Sequence, residues 1–423
     1  MGKRTKTNPM RINDDRLKNN FEALSQIGAT TEGGVHRPTF SPAHLEARAW
    51  FRERSESAGL DFQIDNAGNH SAVMLCANSD APTLLLGSHL DSVPNGGRFD
   101  GAIGVLSAFE VLLTIKDEGI KLPFHLEAID FTDEEGTLHG LLGSEALTGI
   151  LKSEDLISPR GGREQFLSGL AEAGLTEEGL FSAQRSPISL AGYLEVHIEQ
   201  GNRLTNAQAD IGIVTSIVGI NSCTLTFIGR ADHAGTTPMD ERLDASLGAS
   251  AFTLAARKLV MRDFPDCVVN VGAMDFEPGA FNIVPAGVDL SLEFRAPDDG
   301  TFEHLKISLL ALAEAEAHRY GLSLKAKFLG KHEPAPLDPD IQEVFKQAAE
   351  SLDVKAISLA SFAGHDAQSL ARVCPAGMIF IPSVGGSSHS PREFTEWDDC
   401  VNGANVLLQA ALNLVNSYLS IQD

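Results

Sequence analysis

Five short segments, each just past a strand-like apolar run, hold His or carboxylate side chains: Gly87-Ser88-His89-Leu90-Asp91-Ser92-Val93, Gly96-Gly97-Arg98-Phe99-Asp100-Gly101, Asp133-Glu134-Glu135-Gly136, His197-Ile198-Glu199-Gln200-Gly201 and Ser387-Ser388-His389-Ser390. This pattern constrains the fold more than any other feature of the chain. In open α/β sheets the carboxyl ends of strands are where ligands bind, and loops there gather side chains remote in sequence. The apolar runs fit such a sheet. Thr83 to Leu86, Leu126 to Phe131 and Tyr193 to Ile198 read as buried strands, and Val105, Leu106, Phe109, Leu112 and Leu113 lie on one face of a helix after Asp100-Gly101. Strands alternating with helices predict a mostly parallel sheet covered by helices.

The pattern changes in the middle of the chain. Ile213–Ile228 is strand-like, Asp244–Met261 helical, Val268–Phe276 and Val288–Arg295 strands, Phe302–Tyr320 helical and Leu322–Phe328 a strand. That order is β-α-β-β-α-β, the ferredoxin-like arrangement. The expected fold class is therefore α/β, with a mostly parallel-sheet domain in two pieces, 1–212 and 330–423, and an inserted ferredoxin-like module at 213–329. Lys331 to Pro336 is expected to be the return linker, and Thr395 with Asp398 a capping box for a closing helix from Glu396 to Leu419. A chain of 423 residues is long enough for two cores.

Composition narrows the partners. A formal charge of −24 repels phosphate backbones and anionic lipid, so neither nucleic acid nor a membrane surface is expected as a partner. An anionic substrate would then need a local basic pocket. The five cysteines are odd in number and contain no CxxC pair, which argues against a disulfide framework or a cysteine zinc site. The basic start MGKRTKTNPMRINDD lacks the apolar stretch of a signal peptide and has no Ser or Thr at position 6 for N-myristoylation. No window approaches the roughly 18 apolar residues of a membrane span. A cytoplasmic protein is expected.

Ligand chemistry comes next. His89, His197 and His389 offer imidazole nitrogen, and Asp100 and Glu135 offer carboxylate oxygen. Mixed nitrogen and oxygen ligation suits Zn²⁺, and also Mn²⁺, Co²⁺ or Ni²⁺. Five such groups are too many for one catalytic ion and suit two if one carboxylate bridges them. Asp100 is the natural bridge, because it precedes a helix and flanking glycines let the backbone approach closely. Glu134, adjacent to Glu135 but free of metal in this scheme, is placed to take a proton from water and pass it to a leaving nitrogen. Asp91 is expected to orient His89 from behind. No GxSxG elbow and no Cys in a basic, glycine-lined setting is present, so serine and cysteine hydrolysis are disfavoured.

With these segments in this order, the chain resembles the M20 metallopeptidase family from about Gly33 to Leu408, and within it the amidase branch of N-carbamoyl-L-amino-acid hydrolases, allantoate amidohydrolases and β-ureidopropionases. The resemblance implies one metal held by His89, Asp100 and His197 and a second by Asp100, Glu135 and His389, with Glu134 as general base and acid. Peptidases of the family usually carry a carboxylate where His197 stands, so the His-Ile-Glu-Gln-Gly form points to the amidases. It further implies that His233, in Gly229 to Met239, reaches a neighbouring subunit's site and stabilises the oxyanion. Asn282 and Arg295 would hold the substrate carboxylate, Gln200 the ureido group, and His365 either substrate or the metal loop. A homodimer through the inserted module, closing over substrate, is implied as well. One departure follows Gly136, where Thr137 to Ser144 replaces a longer Arg-Phe-Pro-containing stretch of many branch members. That leaves the side-chain preference open. The expected reaction is hydrolysis of the C–N amide bond of a small N-carbamoyl acid, foremost an N-carbamoyl-L-amino acid, to amino acid, CO₂ and ammonia, with allantoate or N-carbamoyl-β-alanine as the next substrates and a dipeptidase or N-acyl amino-acid deacylase of the same family as the runner-up.

Overall fold

A computed structural model describes residues 9–422; residues 1–8, and with them the position 6 on which the acylation reading turned, lie outside the described residues. The chain forms two compact units. One comprises residues up to Thr215, Leu337–Leu359 and the chain from Ala363 onward, and the other Ser216–Pro336 with Ala360–Phe362.

In the larger unit four parallel strands lie side by side in the order His125–Phe131, Thr83–His89, Leu190–Ile198 and Ala376–Ile381. Beyond them the sheet turns antiparallel, through His70–Met74 and Asp61–Ile64 on one side and Ile211–Ile217 on the other. All seven residues of His125–Phe131 are buried, the apolar ones as expected of a strand covered on both faces, and the buried Glu127 and Asp130 are paired with Arg185 and Arg48. The helix Ala102–Asp117 packs on this sheet, with fourteen of its sixteen residues buried, so it is apolar on every side. Its start is set by Gly101, whose φ of +62° and crowded Cα no other residue suits: a Cβ there would meet the His89 ring at 2.4 Å.

The second unit is a four-stranded antiparallel sheet in the order Ser323–His332, Gly219–Ile228, Gly287–Ala296 and Val268–Glu277, with the helices Ala245–Asp263 and Asp299–Arg319. Its core follows the period of two. Cys223, Leu225 and Phe227 alternate inward on one strand, and Leu290, Leu292 and Phe294 on another. Asp244 and Asp298 start the helices, each accepting a backbone N–H from the first turn.

Three local expectations need correction. The single strand-like run Ile213–Ile228 is two strands, Ile211–Ile217 and Gly219–Ile228, pairing in different sheets about Val218; β-branched residues continue on both sides of Val218, and the one mark in the sequence is the adjacent Gly219. The linker from Lys331 is partly strand, since one strand runs to His332 and Ala335–Pro336 pairs with Ser216 and Ile217. The capping box is not made. The last helix begins at Trp397, and the Thr395 hydroxyl is buried without a hydrogen bond.

Candidate metal centre

The parallel strands deliver their carboxyl ends to one edge of the larger unit's sheet. Thr83–His89 ends in His89, His125–Phe131 runs into Asp133-Glu134-Glu135, Leu190–Ile198 carries His197 in its last turn of the pleat, and Ala376–Ile381 leads toward His389. The Gly96 to Gly101 turn supplies Asp100. Two groups of candidate ligands result: His89, Asp100 and His197, and Asp100, Glu135 and His389. Within each, the ligand atoms lie within 4.8 Å of one another.

Asp100 stands between the two. Its Oδ1 lies 3.0 Å from His197 Nε2 and 3.6 Å from His89 Nε2, and its Oδ2 lies 3.6 Å from His389 Nε2. Glu135 Oε2 is 3.3 Å from His389 Nε2. Except for the half-exposed His389, these side chains are at most 5% exposed.

Backbone carbonyls fix the imidazoles. His89 Nδ1 lies 3.0 Å from the Asp91 carbonyl and His197 Nδ1 2.9 Å from that of Ile198. In the neutral ring, with Nδ1–H donating there, each Nε2 presents a lone pair to the interior. His89 Nε2, His197 Nε2 and Glu135 Oε1 are buried yet take no hydrogen bond. Buried polar atoms normally find partners, so unpartnered donor atoms facing one another are what a cation site requires. The donor set is nitrogen and oxygen throughout, as Zn²⁺ and similar ions prefer.

The field says the same. Burial, then the carboxylates of Glu135, Asp366, Asp91 and Asp100, push Glu134 well above the usual carboxylate range; burial, then Asp100 and Asp91, do so for Glu135. Burial lowers His89 to about 4. For His197 burial is outweighed by Asp100 and Glu195, and the imidazole rises to about 9. Positive charge is therefore favoured beside Asp100. Burial acts against the Asp100 carboxylate, but His197, His89 and His389 together hold it well below its ordinary value.

Glu134 borders this cluster, its Oε2 3.4 Å from His89 Nε2. Asp91 meets His89 as expected, but through its backbone carbonyl, and its carboxylate is committed elsewhere, to the Thr39 hydroxyl and the N–H groups of Glu134 and Glu135. Gln200 donates its amide to Asp100 Oδ2 at 2.8 Å. His365 is buried against His197, ring centroids 4.5 Å apart, and with Glu195 and His197 it forms a third group of candidate ligands. Ser388 and Glu393, which contact Asp100, were not singled out from the sequence, although both flank His389 in Ser387-Ser388-His389-Ser390-Pro391-Arg392-Glu393.

The remaining candidates lie in the second unit. His233 is exposed and its Nδ1 accepts the N–H groups of Gly235 and Thr236, leaving Nε2 to carry the proton of the neutral ring. Asn282 is exposed, and its carbonyl accepts the N–H of Ala234 in the His233 loop. The Arg295 guanidinium forks onto Glu293 Oε1 and also donates to the Phe362 carbonyl.

Comparisons with known proteins give the family. The N-carbamoyl-L-amino acid amidohydrolase of Geobacillus stearothermophilus is 34% identical over 405 residues, covering 95% of this chain and 99% of that protein. The allantoate amidohydrolase of Bacillus subtilis is 33% identical over 379 residues, covering 89% and 91%. The crystal structure of a hydantoinase/carbamoylase family amidase from Burkholderia ambifaria matches with a TM-score of 0.88 at 31% identity, covering 96% of this chain and 99% of that one. The model of peptidase family M20/M25/M40 matches residues 85–413, a span that begins on the strand leading to His89 and closes beyond His389, and the chain accordingly belongs to that family.

Proposed function

We propose that this protein hydrolyses the C–N amide bond of a small N-carbamoyl (ureido) acid, foremost an N-carbamoyl-L-amino acid, releasing the amino acid, CO₂ and ammonia. The observation that carries the reading is the convergence of unpartnered imidazole and carboxylate atoms on Asp100, in a chain whose full-length relatives are ureido-acid amidohydrolases. Allantoate is the second substrate reading, favoured by the Bacillus subtilis relative at 33% identity.

Two divalent cations, Zn²⁺ or Mn²⁺ first and Co²⁺ or Ni²⁺ next, are assigned to His89, Asp100 and His197 and to Asp100, Glu135 and His389. When bound, they supply Lewis acidity at the scissile carbonyl and at water. Glu134 takes the proton of the attacking water and returns it to the leaving nitrogen, which a carboxylate held in a buried acidic setting is suited to do. Gln200 and His365 are assigned to the ureido end of the substrate. His233 is assigned to the developing oxyanion, and Asn282 and Arg295 to the substrate carboxylate.

The second unit is read as an inserted ferredoxin-like module that joins two copies and closes over substrate. Its strand order and alternating elements support the fold. Its solvent face supports the homodimer: Leu247, Leu254 and Met261, seven residues apart on one helix, are 42%, 67% and 65% exposed, and Val268 and Phe276 on the sheet's edge strand are 43% and 45% exposed. Apolar side chains in that arrangement call for a partner. The five cysteines are all free, which supports a reducing, cytoplasmic location, and no helix among the described residues is long and apolar enough to cross a membrane.

The deciding experiment strips the protein of metal, reloads it with Mn²⁺, Zn²⁺, Co²⁺ or Ni²⁺, and assays N-carbamoyl-L-amino acids, allantoate, N-carbamoyl-β-alanine and dipeptides side by side. Ureido acids are expected to turn over, with activity lost to chelator and indifferent to serine and thiol reagents. Cleavage of dipeptides alone would overturn the reading.

A further inference from the structure

Asp100 is held from two directions by a pair of residues distant in sequence. Glu393 is 4% exposed, and its Oε1 accepts the backbone N–H groups of Phe99 at 2.9 Å and Asp100 at 3.0 Å. Its Oε2 lies 3.0 Å from the Ser388 hydroxyl, which is also 2.8 Å from Asp100 Oδ2. A hydroxyl has one proton, so Ser388 donates to one of these carboxylates at a time and links them.

The turn is built around this arrangement. A Cβ on Gly97 would lie 1.9 Å from Glu393 Cδ and 2.0 Å from Oε1. Only glycine at 97 lets the Glu393 carboxylate enter the turn that carries Asp100. Ser388 and Glu393 also bracket His389, and the Glu393 N–H closes on the Ser390 carbonyl at 3.0 Å. The two residues therefore fasten the loop bearing His389 to the turn bearing Asp100.

We infer that Glu393 and Ser388 are positioning residues that set the backbone and the carboxylate orientation of Asp100, and so the spacing of the two groups of metal ligands that share it. The inference rests on the two-cation reading given above. Glu393 fixes the turn through its main-chain donors, and Ser388 holds Oδ2 so that Oδ1 remains directed at His197 and His89. A carboxylate that merely stabilised the turn would affect folding and leave cation affinity alone.

The test uses the full chain loaded with Co²⁺, with affinity read by chelator competition, the visible absorption of the bound ion recorded, and folding followed by circular dichroism. Glu393→Ala and Ser388→Ala are each expected to weaken Co²⁺ binding by about 10- to 100-fold, the usual effect of losing a group that orients a ligand, and to shift the absorption bands while the fold persists. Glu393→Gln keeps an oxygen for both N–H groups and is expected to restore most of the affinity. Should Glu393→Ala fail to fold, Ser388→Ala, which removes one exchangeable hydroxyl, decides the matter. Wild-type affinity and spectrum in Ser388→Ala, or a Glu393→Gln protein as weak as Glu393→Ala, would overturn the inference. Fewer than two ions in the wild-type chain, or two ions retained by Asp100→Ala, would instead overturn the two-cation reading beneath it.

Discussion

Asp91 reaches His89 through its main chain, the carbonyl oxygen 3.0 Å from His89 Nδ1, while its carboxylate stays 3.7 Å away. That carboxylate serves Thr39 at 3.0 Å and the N–H groups of Glu134 and Glu135 at 3.3 and 3.2 Å. The backbone at Asp133 is left-handed, with a φ of +58°, so the Glu134-Glu135 turn depends on such acceptors. Replacing Asp91 by Ala keeps the carbonyl and removes the support of the turn. Asp91→Ala is expected to lower kcat by about 10- to 100-fold and to weaken the cation site that uses Glu135, while the site of His89 and His197 still fills. Kinetics paired with elemental analysis of the purified variant checks this. Loss of the ion at His89 and His197 with the Glu135 site intact would return the role of Asp91 to the imidazole.

Glu134 is the group whose proton chemistry can be isolated. It borders the ligands without belonging to either group of three. Glu134→Gln keeps size and hydrogen-bonding capacity but cannot hold a proton in transit. Turnover is expected to fall by at least about 100-fold, with both cations retained by elemental analysis. Turnover near wild type would refute the assignment.

Arg295 must choose between Glu293 and an incoming carboxylate. Its Nε and Nη2 lie 3.0 and 2.8 Å from the same Glu293 oxygen, and the pair is about one third exposed. Charge-assisted hydrogen bonds contribute about 1.5–3 kcal/mol, so Arg295→Ala is expected to raise KM by about 10- to 100-fold with kcat little changed. Glu293→Gln frees the guanidinium and is expected to lower KM. Steady-state kinetics on an N-carbamoyl amino acid and on its amide analogue separates the cases, because only the carboxylate-bearing substrate should respond. An unchanged KM in Arg295→Ala would make Arg295 structural.

Much of the centre was legible because of how parallel strands bury themselves. A strand covered on both faces is apolar except where a buried polar side chain finds a partner, as Glu127 does in Arg185 and Asp130 in Arg48, so the polar cluster that follows Leu86 or Phe131 marks the sheet's carboxyl edge, where His89 and Glu134-Glu135 stand. The helix after Asp100 was legible by its period. What stayed hidden acts through the main chain. Glu393 accepts the N–H of a residue 293 positions earlier, and an N–H is common to all residue types but proline, so no pattern in the sequence betrays the partner. Asp91 orients His89 through its main-chain carbonyl, which the sequence does not distinguish from its carboxylate. The break at Val218 was hidden because β-branched residues continue on both sides of it and Gly219 alone marks it, and the place of Gln200 on Asp100 required a φ of +57° that nothing in its neighbours announces.

Away from the metal ligands, His70 gives a stability test. Its Nδ1 is buried without a hydrogen bond, and its ring packs edge-on to Phe62 at 5.5 Å. Burial, aided by the charge of Arg48, lowers its pKa from 6.5 to about 2. The unfolded chain therefore takes up a proton at this site as pH falls below about 6.5, and the folded chain does not until about pH 2. A depressed folded pKa means that the contribution of neutral His70 is complete above the unfolded value and declines as pH drops toward the folded one. The slope is up to about 1.4 kcal/mol per pH unit. Other groups titrate over the same range, so the informative quantity is a difference. Urea unfolding of the wild type and of His70→Phe, both metal-free, should show the variant gaining relative stability by about that amount for each unit between pH 6.5 and 4.5. A difference that stays flat with pH would mean that His70 takes up its proton in the folded protein as readily as in the unfolded chain.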